Sequence, residues 1–302
     1  MAITGTGTEL DPFIVHSYAE IKTFIEDTTA SDLYGKLGND IDCNTYGVDW
    51  EWETITNSSS NIRDFDLDGH TIKNVYIKNS NFMFKGGSQS SRKIVCHNGK
   101  LLNVFGGSPQ CISEWTDFVN VSMSAQISSL SGQCLFSGSI ILENCAMYLV
   151  LLNAGAKYIT SIGASGYSRV KNTDFYIEFY NCNSSTKIFN RGASGAICDA
   201  VRVKGKMKLP QGATPAAASY WVPVMAITNS VFEVDMTDFA GIESGSSNLI
   251  GGTGDNTTVV NWSLVPDEGH LLLNGYLKAT NSQMTVGSEL RSLGFSVVNI
   301  EE

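Results

Sequence analysis

Apolar and polar residues alternate along much of this chain, and the alternation restarts at recurring places. Ser230, Phe232, Val234 and Met236 form one face of such a run, and Val231, Glu233 and Asp235 form the other. The order small, large, apolar returns as Thr173, Phe175, Ile177 and Phe179, and as Cys145, Met147, Leu149 and Leu151. Period-two patterning of this kind marks a β-strand with one face turned inward. Each run follows an Asn. The phrase is apolar, any residue, Asn, small residue, then alternating apolar positions. It occurs around Asn74, Asn120, Asn144, Asn172, Asn229 and Asn281, with weaker copies at Leu101–Val104 and Val259–Trp262.

The residue two before each Asn is also apolar, so the inward parity changes across the Asn without an insertion. The chain must bend there. Asn tolerates left-handed backbone geometry and bonds its own backbone, which suits a bend between two strands. One strand-and-bend unit repeated along a chain predicts a solenoid. The fold class expected is therefore all-β: a right-handed parallel β-helix whose coils turn a corner at each Asn. An antiparallel sandwich with Asn turns is the alternative architecture. Asn120 to Asn144 and Asn144 to Asn172 are single-coil intervals, and the longer intervals are expected to hold about two coils each. Their irregularity implies loops of different length, including a Pro- and Ala-rich one over 209–218.

The first 35 residues break the pattern. Tyr18, Ile21, Phe24 and Ile25 recur at helical spacing behind Ser17, a good N-cap. A short helix here would cover the open end of the solenoid, which otherwise exposes apolar core. The division expected is a strand and capping helix over 1–35, the β-helix over 36–286, and a C-terminal cap over 287–302. In that last part a helical turn stops at Gly294 before a strand at Phe295–Ile300.

Composition narrows the function. Hydrophobic residues make up 42% and charged residues 17%, which suits a packed core. A net charge of −10 argues against nucleic-acid binding, which needs basic tracks. The cluster Arg202, Lys204, Lys206 and Lys208 alternates and reads as a solvated strand. No apolar run is long enough to insert in a membrane. The start at Met1 shows no basic region followed by an apolar stretch, so no export signal is read there. Seven cysteines without C-x-x-C spacing read as buried thiols of a protein folded in a cytoplasm.

The opening Gly5-Thr6-Gly7-Thr8-Glu9-Leu10-Asp11-Pro12-Phe13 resembles the first segment of a group of β-helix proteins. Leu37-Gly38-Asn39-Asp40-Ile41-Asp42, the Trp50-Glu51-Trp52 segment and Phe65-Asp66-Leu67-Asp68-Gly69-His70 follow in the order found there. The group includes bacterial surface proteins with GLUG-type repeats and structural proteins of bacteriophage tails and capsids. The likeness covers roughly residues 5–78, and no GLUG motif as such is present. It implies a spike, fibre or decoration protein, commonly a homotrimer, bound to other virion proteins and in contact with a host glycan. The absent export signal favours the virion over the bacterial cell surface.

Candidate chemistry is sparse. Asp64, Asp66 and Asp68 alternate and could supply an acid and a base for glycan cleavage, the work of a polysaccharide depolymerase. The competing reading is an outward row that ends in an Asp-Gly turn. Asp40 with Asp42, and Glu51 with Glu53, read as surface acids. Trp50, Trp52, Trp115 and Trp221 could stack on sugars, as a secreted carbohydrate-binding module would require, or could fill the core. The four histidines are dispersed, so no metal site and no cofactor are expected. The function expected is a non-enzymatic virion component.

Overall fold

The computed structural model describes residues 3–214 except 30, 48, 88–92, 139, 162–168 and 191–196. Beyond 214 it describes strand residues 226–228, 231–235, 254–255, 258–259, 276–279 and 296–299. Trp221, Asn229, Asn281 and the helical turn before Gly294 lie outside these residues. So does the end of the loop over 209–218, from 215 onward.

The chain is a parallel β-solenoid whose coils have three sides. The first sheet stacks Phe13–Val15, Leu33–Leu37, Arg63–Asp66, the leading parts of Ile94–Gly106 and Thr116–Ile127, then Ile141–Glu143, Arg169–Lys171, Ile197–Asp199 and Ala226–Thr228. The second stacks Ile41–Asp42, Thr71–Ile77, the trailing parts of those two long strands, Ala146–Leu151, Asp174–Phe179, Arg202–Met207 and Val231–Asp235. The third contains six short strands, from Ile55–Thr56 to Phe189–Asn190. Every one of these ladders is parallel. Ser296–Asn299 also pairs in parallel, with Tyr276–Ala279.

Register carries like residues onto like. Gly35, Phe65, Cys96, Phe118, Leu142, Val170 and Cys198 are successive members of one inward column of the first sheet. From Phe65 onward all are fully buried. Burying each large apolar member contributes about 1.5–3 kcal/mol. In the second sheet, Thr173, Phe175, Ile177 and Phe179 point inward, over Cys145, Met147, Leu149 and Leu151. Tyr148, Val150, Tyr176 and Glu178 on the opposite face are buried too, so the outer face is shielded at these two coils. All seven cysteines are free and buried.

The helix runs Tyr18–Glu26. Ser17 Oγ accepts the Glu20 amide at 3.3 Å, and Glu20 returns a carboxylate oxygen to the His16 amide at 2.7 Å. This reciprocal cap satisfies amides that a helix start leaves without partners. Ile21, Phe24 and Ile25 form the buried stripe. Phe24 fits over the first coil because position 35 is Gly: a Cβ there would lie 2.6 Å from the Phe24 ring. The exit from the helix is held by the fully buried Arg63, whose guanidinium donates to the carbonyls of Asp27, Ser31 and Ile62.

Candidate functional site at the polar corner

The corner between the first and second sheets is built from residues in the left-handed region. Asp68, Asn98, Asn120, Asn144, Asn172 and Ala200 have φ of 48, 57, 55, 53, 44 and 52°. At such φ an L-residue other than Asn, Asp or Gly is strained, which is why Asn recurs. Asn98 belongs to this set, and its surroundings, Cys96-His97-Asn98-Gly99-Lys100-Leu101, satisfy the repeat phrase in full. Asn74 does not belong to it. It sits within the second sheet at φ 58°, beside Asn103 at 53°. Asn103 Nδ2 donates to Asn74 Oδ1 at 3.0 Å, and Asn74 Nδ2 donates to Asp42 Oδ1 at 2.7 Å. The ladder then slips between Met123 and Ala125, and Ser124 Oγ accepts the Asn103 amide at 2.8 Å. The chain thus has two Asn columns where the phrase alone reads as one.

Asp64, Asp66 and Asp68 meet this corner from the strand below. Asp64 Oδ1 lies 2.6 Å from His97 Nε2, and Asp66 Oδ1 lies 3.7 Å from His97 Nδ1. The imidazole therefore stands between the two carboxylates, where a glycosidic oxygen and an attacking water would have to sit. Asp66 Oδ1 also accepts the Asp68 amide at 2.8 Å and Asn98 Nδ2 at 3.2 Å. Asp68 pairs with Lys36 at 2.8 Å. All three carboxylates are used to hold one coil to the next. The hydrogen bond that Asp64 accepts from the ring, with the charges of Asp64 and Asp66, raises the His97 pKa above the ordinary histidine value against the opposing effect of burial. The Asp64–His97 arrangement resembles two members of a hydrolytic triad, but the other ring nitrogen faces the Asn98 amide rather than a nucleophile, at 2.7 Å.

Asp40 and Asp42 serve similarly. Asp40 Oδ1 accepts the Thr71 amide at 3.0 Å and contacts His70 Nδ1 at 3.1 Å. Asp42 is partly buried, which disfavours its charge, but bonds from Asn74, the Asn44 amide and Lys73 bring it below its ordinary value. Among the described residues no group of His, Cys, Asp or Glu could hold a metal ion. No helix among them is long and apolar enough to cross a membrane.

The tryptophans divide. Trp52 is fully buried, with its indole N–H on the Met83 carbonyl at 2.8 Å, so it is a core residue and not a sugar platform. Trp115 is half-buried and turns its ring over Gly138. Trp50 is half-buried on the surface, 4.8 Å from the exposed ring of Tyr46. A second polar cluster has no clear mark in the sequence. Glu178 is fully buried and accepts from the hydroxyls of Tyr148 and Tyr180, with Lys206 Nζ at 3.3 Å. Burial raises the pKa of Tyr148, and of Tyr180 to about 12, so both remain neutral donors at neutral pH. By pattern alone Glu178 is one more outward charge, and with no exposed surface it offers a glycan no access.

No protein-family model matches this chain, and neither a curated protein nor a solved structure shows significant similarity to it.

Proposed function

We propose that this chain is a non-enzymatic structural component of a bacteriophage virion, a spike, fibre or decoration element of tail or capsid. The observation that carries the reading is the use made of the candidate carboxylates. Asp64, Asp66 and Asp68 bind His97, Asn98, the Asp68 amide and Lys36, so the polar groups that could do chemistry fasten neighbouring coils instead. The resemblance of the opening segment to virion β-helix proteins supports this class, and with it the proposal of a homotrimer docked to other virion proteins. The flanking genes test it: portal, capsid or tail genes are expected, and genes for export and wall anchoring would overturn it.

A carbohydrate-binding role is the second reading, supported by the Tyr46–Trp50 ring pair on the surface. On that reading Trp50→Ala abolishes binding on a glycan array, whereas unchanged binding excludes the pair as the platform.

A further inference from the structure

The corner amides have a direction. Asn120 Nδ2 donates to Asn98 Oδ1 at 3.0 Å. Asn98 Nδ2 carries two hydrogens, and both have acceptors: Asp66 Oδ1 at 3.2 Å and His97 Nδ1 at 2.7 Å. This arrangement requires His97 to be neutral, with its proton on Nε2 facing Asp64 Oδ1. A second proton on Nδ1 would set N–H against N–H across 2.7 Å. The conflict at Nδ1 ends if the Asn98 amide turns over and offers Oδ1 to the imidazolium; the turn gives up the bond to Asp66 Oδ1, a loss offset by the new imidazolium charge 3.7 Å from that oxygen. That turn places Asn98 Nδ2 against Asn120 Nδ2, so Asn120 must turn as well.

The surrounding charges favour the second proton. Asp64 and Asp66 face His97 from the strand on one side. Val119, opposite it on the other side, is apolar. The nearby Lys93 is paired with Asp117 at 3.0 Å, and Asp68 at the corner is paired with Lys36. The rail also has an end. Asn172 Nδ2 donates to Asn144 Oδ1 at 3.2 Å, but no bond joins Asn144 to Asn120.

We propose that His97 is a proton-operated latch: its protonation reverses the Asn98 and Asn120 side-chain amides together and so resets the polar corner over three coils, while Asn144 and Asn172 do not respond. The direction of the His97 shift places this change above the pH at which an ordinary histidine titrates.

The test is side-chain amide NMR on the full-length chain labelled with 15N-asparagine, followed from pH 5 to pH 9. Loss of single resonances in Asn98→Ser and Asn120→Ser assigns the signals. The Asn98 and Asn120 amides are expected to shift together, with a midpoint above about 6.5, while Asn144 and Asn172 stay fixed. In His97→Gln the shift should vanish. Asn98 and Asn120 signals that hold still across this range in the wild-type chain would overturn the proposal, whether or not His97→Gln folds. So would a movement that persists in folded His97→Gln.

Discussion

Ala200 occupies a corner position that the neighbouring coils fill with Asn. Lys171 pairs with Asp199, so Ala200 stacks directly on Asn172, and its φ of 52° is left-handed like the rest of the column. An L-alanine held there costs about 1–2 kcal/mol. Ala200→Asn should recover most of this, because the Asn amide bonds locally in that geometry. It also places a donor against Asn172 as Asn172 is placed against Asn144, a net gain of about 0.5–1 kcal/mol. The total expected is about 1.5–2.5 kcal/mol of added stability, read as a higher midpoint in urea unfolding followed by tryptophan fluorescence. Ala200→Gly relieves the same strain but adds about 0.5–1 kcal/mol of chain entropy to lose, so it should gain less. Ala200→Val keeps the strain and adds a β-branch, so it should fall below the wild-type chain. The order Asn, Gly, Ala, Val follows from the corner geometry. Ala200→Asn no more stable than Ala, or Val equal to Asn, would refute it.

Gly35→Ala should push the Phe24 ring from its seat at a cost of about 1–3 kcal/mol, seen first as faster hydrogen exchange in Tyr18–Glu26. Trp52→Phe removes the shorter of two hydrogen bonds to the Met83 carbonyl and opens a gap in the core, a loss of about 2–3 kcal/mol in denaturant titration. Because His97 has a raised folded pKa, its contribution to stability is complete below the unfolded value of about 6.5 and is lost as pH rises through the folded value. His97→Gln should flatten that part of the pH–stability profile. Asp42, whose folded pKa is lowered, behaves oppositely: its contribution is present above about 3.9 and disappears as pH falls through the folded value, so Asp42→Asn should remove that loss at low pH.

Corners and columns are legible in the sequence because each depends on local chemistry. A left-handed bend favours Asn, Asp or Gly, and the change of parity around Asn120, Asn144 and Asn172 records it. The capping helix is readable for the same reason, from Ser17 and the spacing of Ile21, Phe24 and Ile25. What depends on the stacking of coils is not readable. Asn74 obeys the corner phrase yet belongs to an inner column, because it lies level with Asn103 on the next coil and bonds it there, a pairing that leaves no mark in the phrase itself. The copy at Asn98 is readable and marks the polar corner, but the approach of His97 to Asp64 and Asp66 spans one full coil and leaves no trace in spacing. Trp52 looks like Trp50 in sequence. Only the packing of Tyr18 and Phe84 around it decides that one ring is core and the other is surface. Glu178 is hidden by the same limit, since an outward position on a strand does not reveal what lies over it.

Whether this solenoid works by assembly is tested most directly by the native mass of the full-length chain at micromolar concentration. A single species of three 32.7 kDa chains that persists on dilution is predicted; a strict monomer under the same conditions would contradict it.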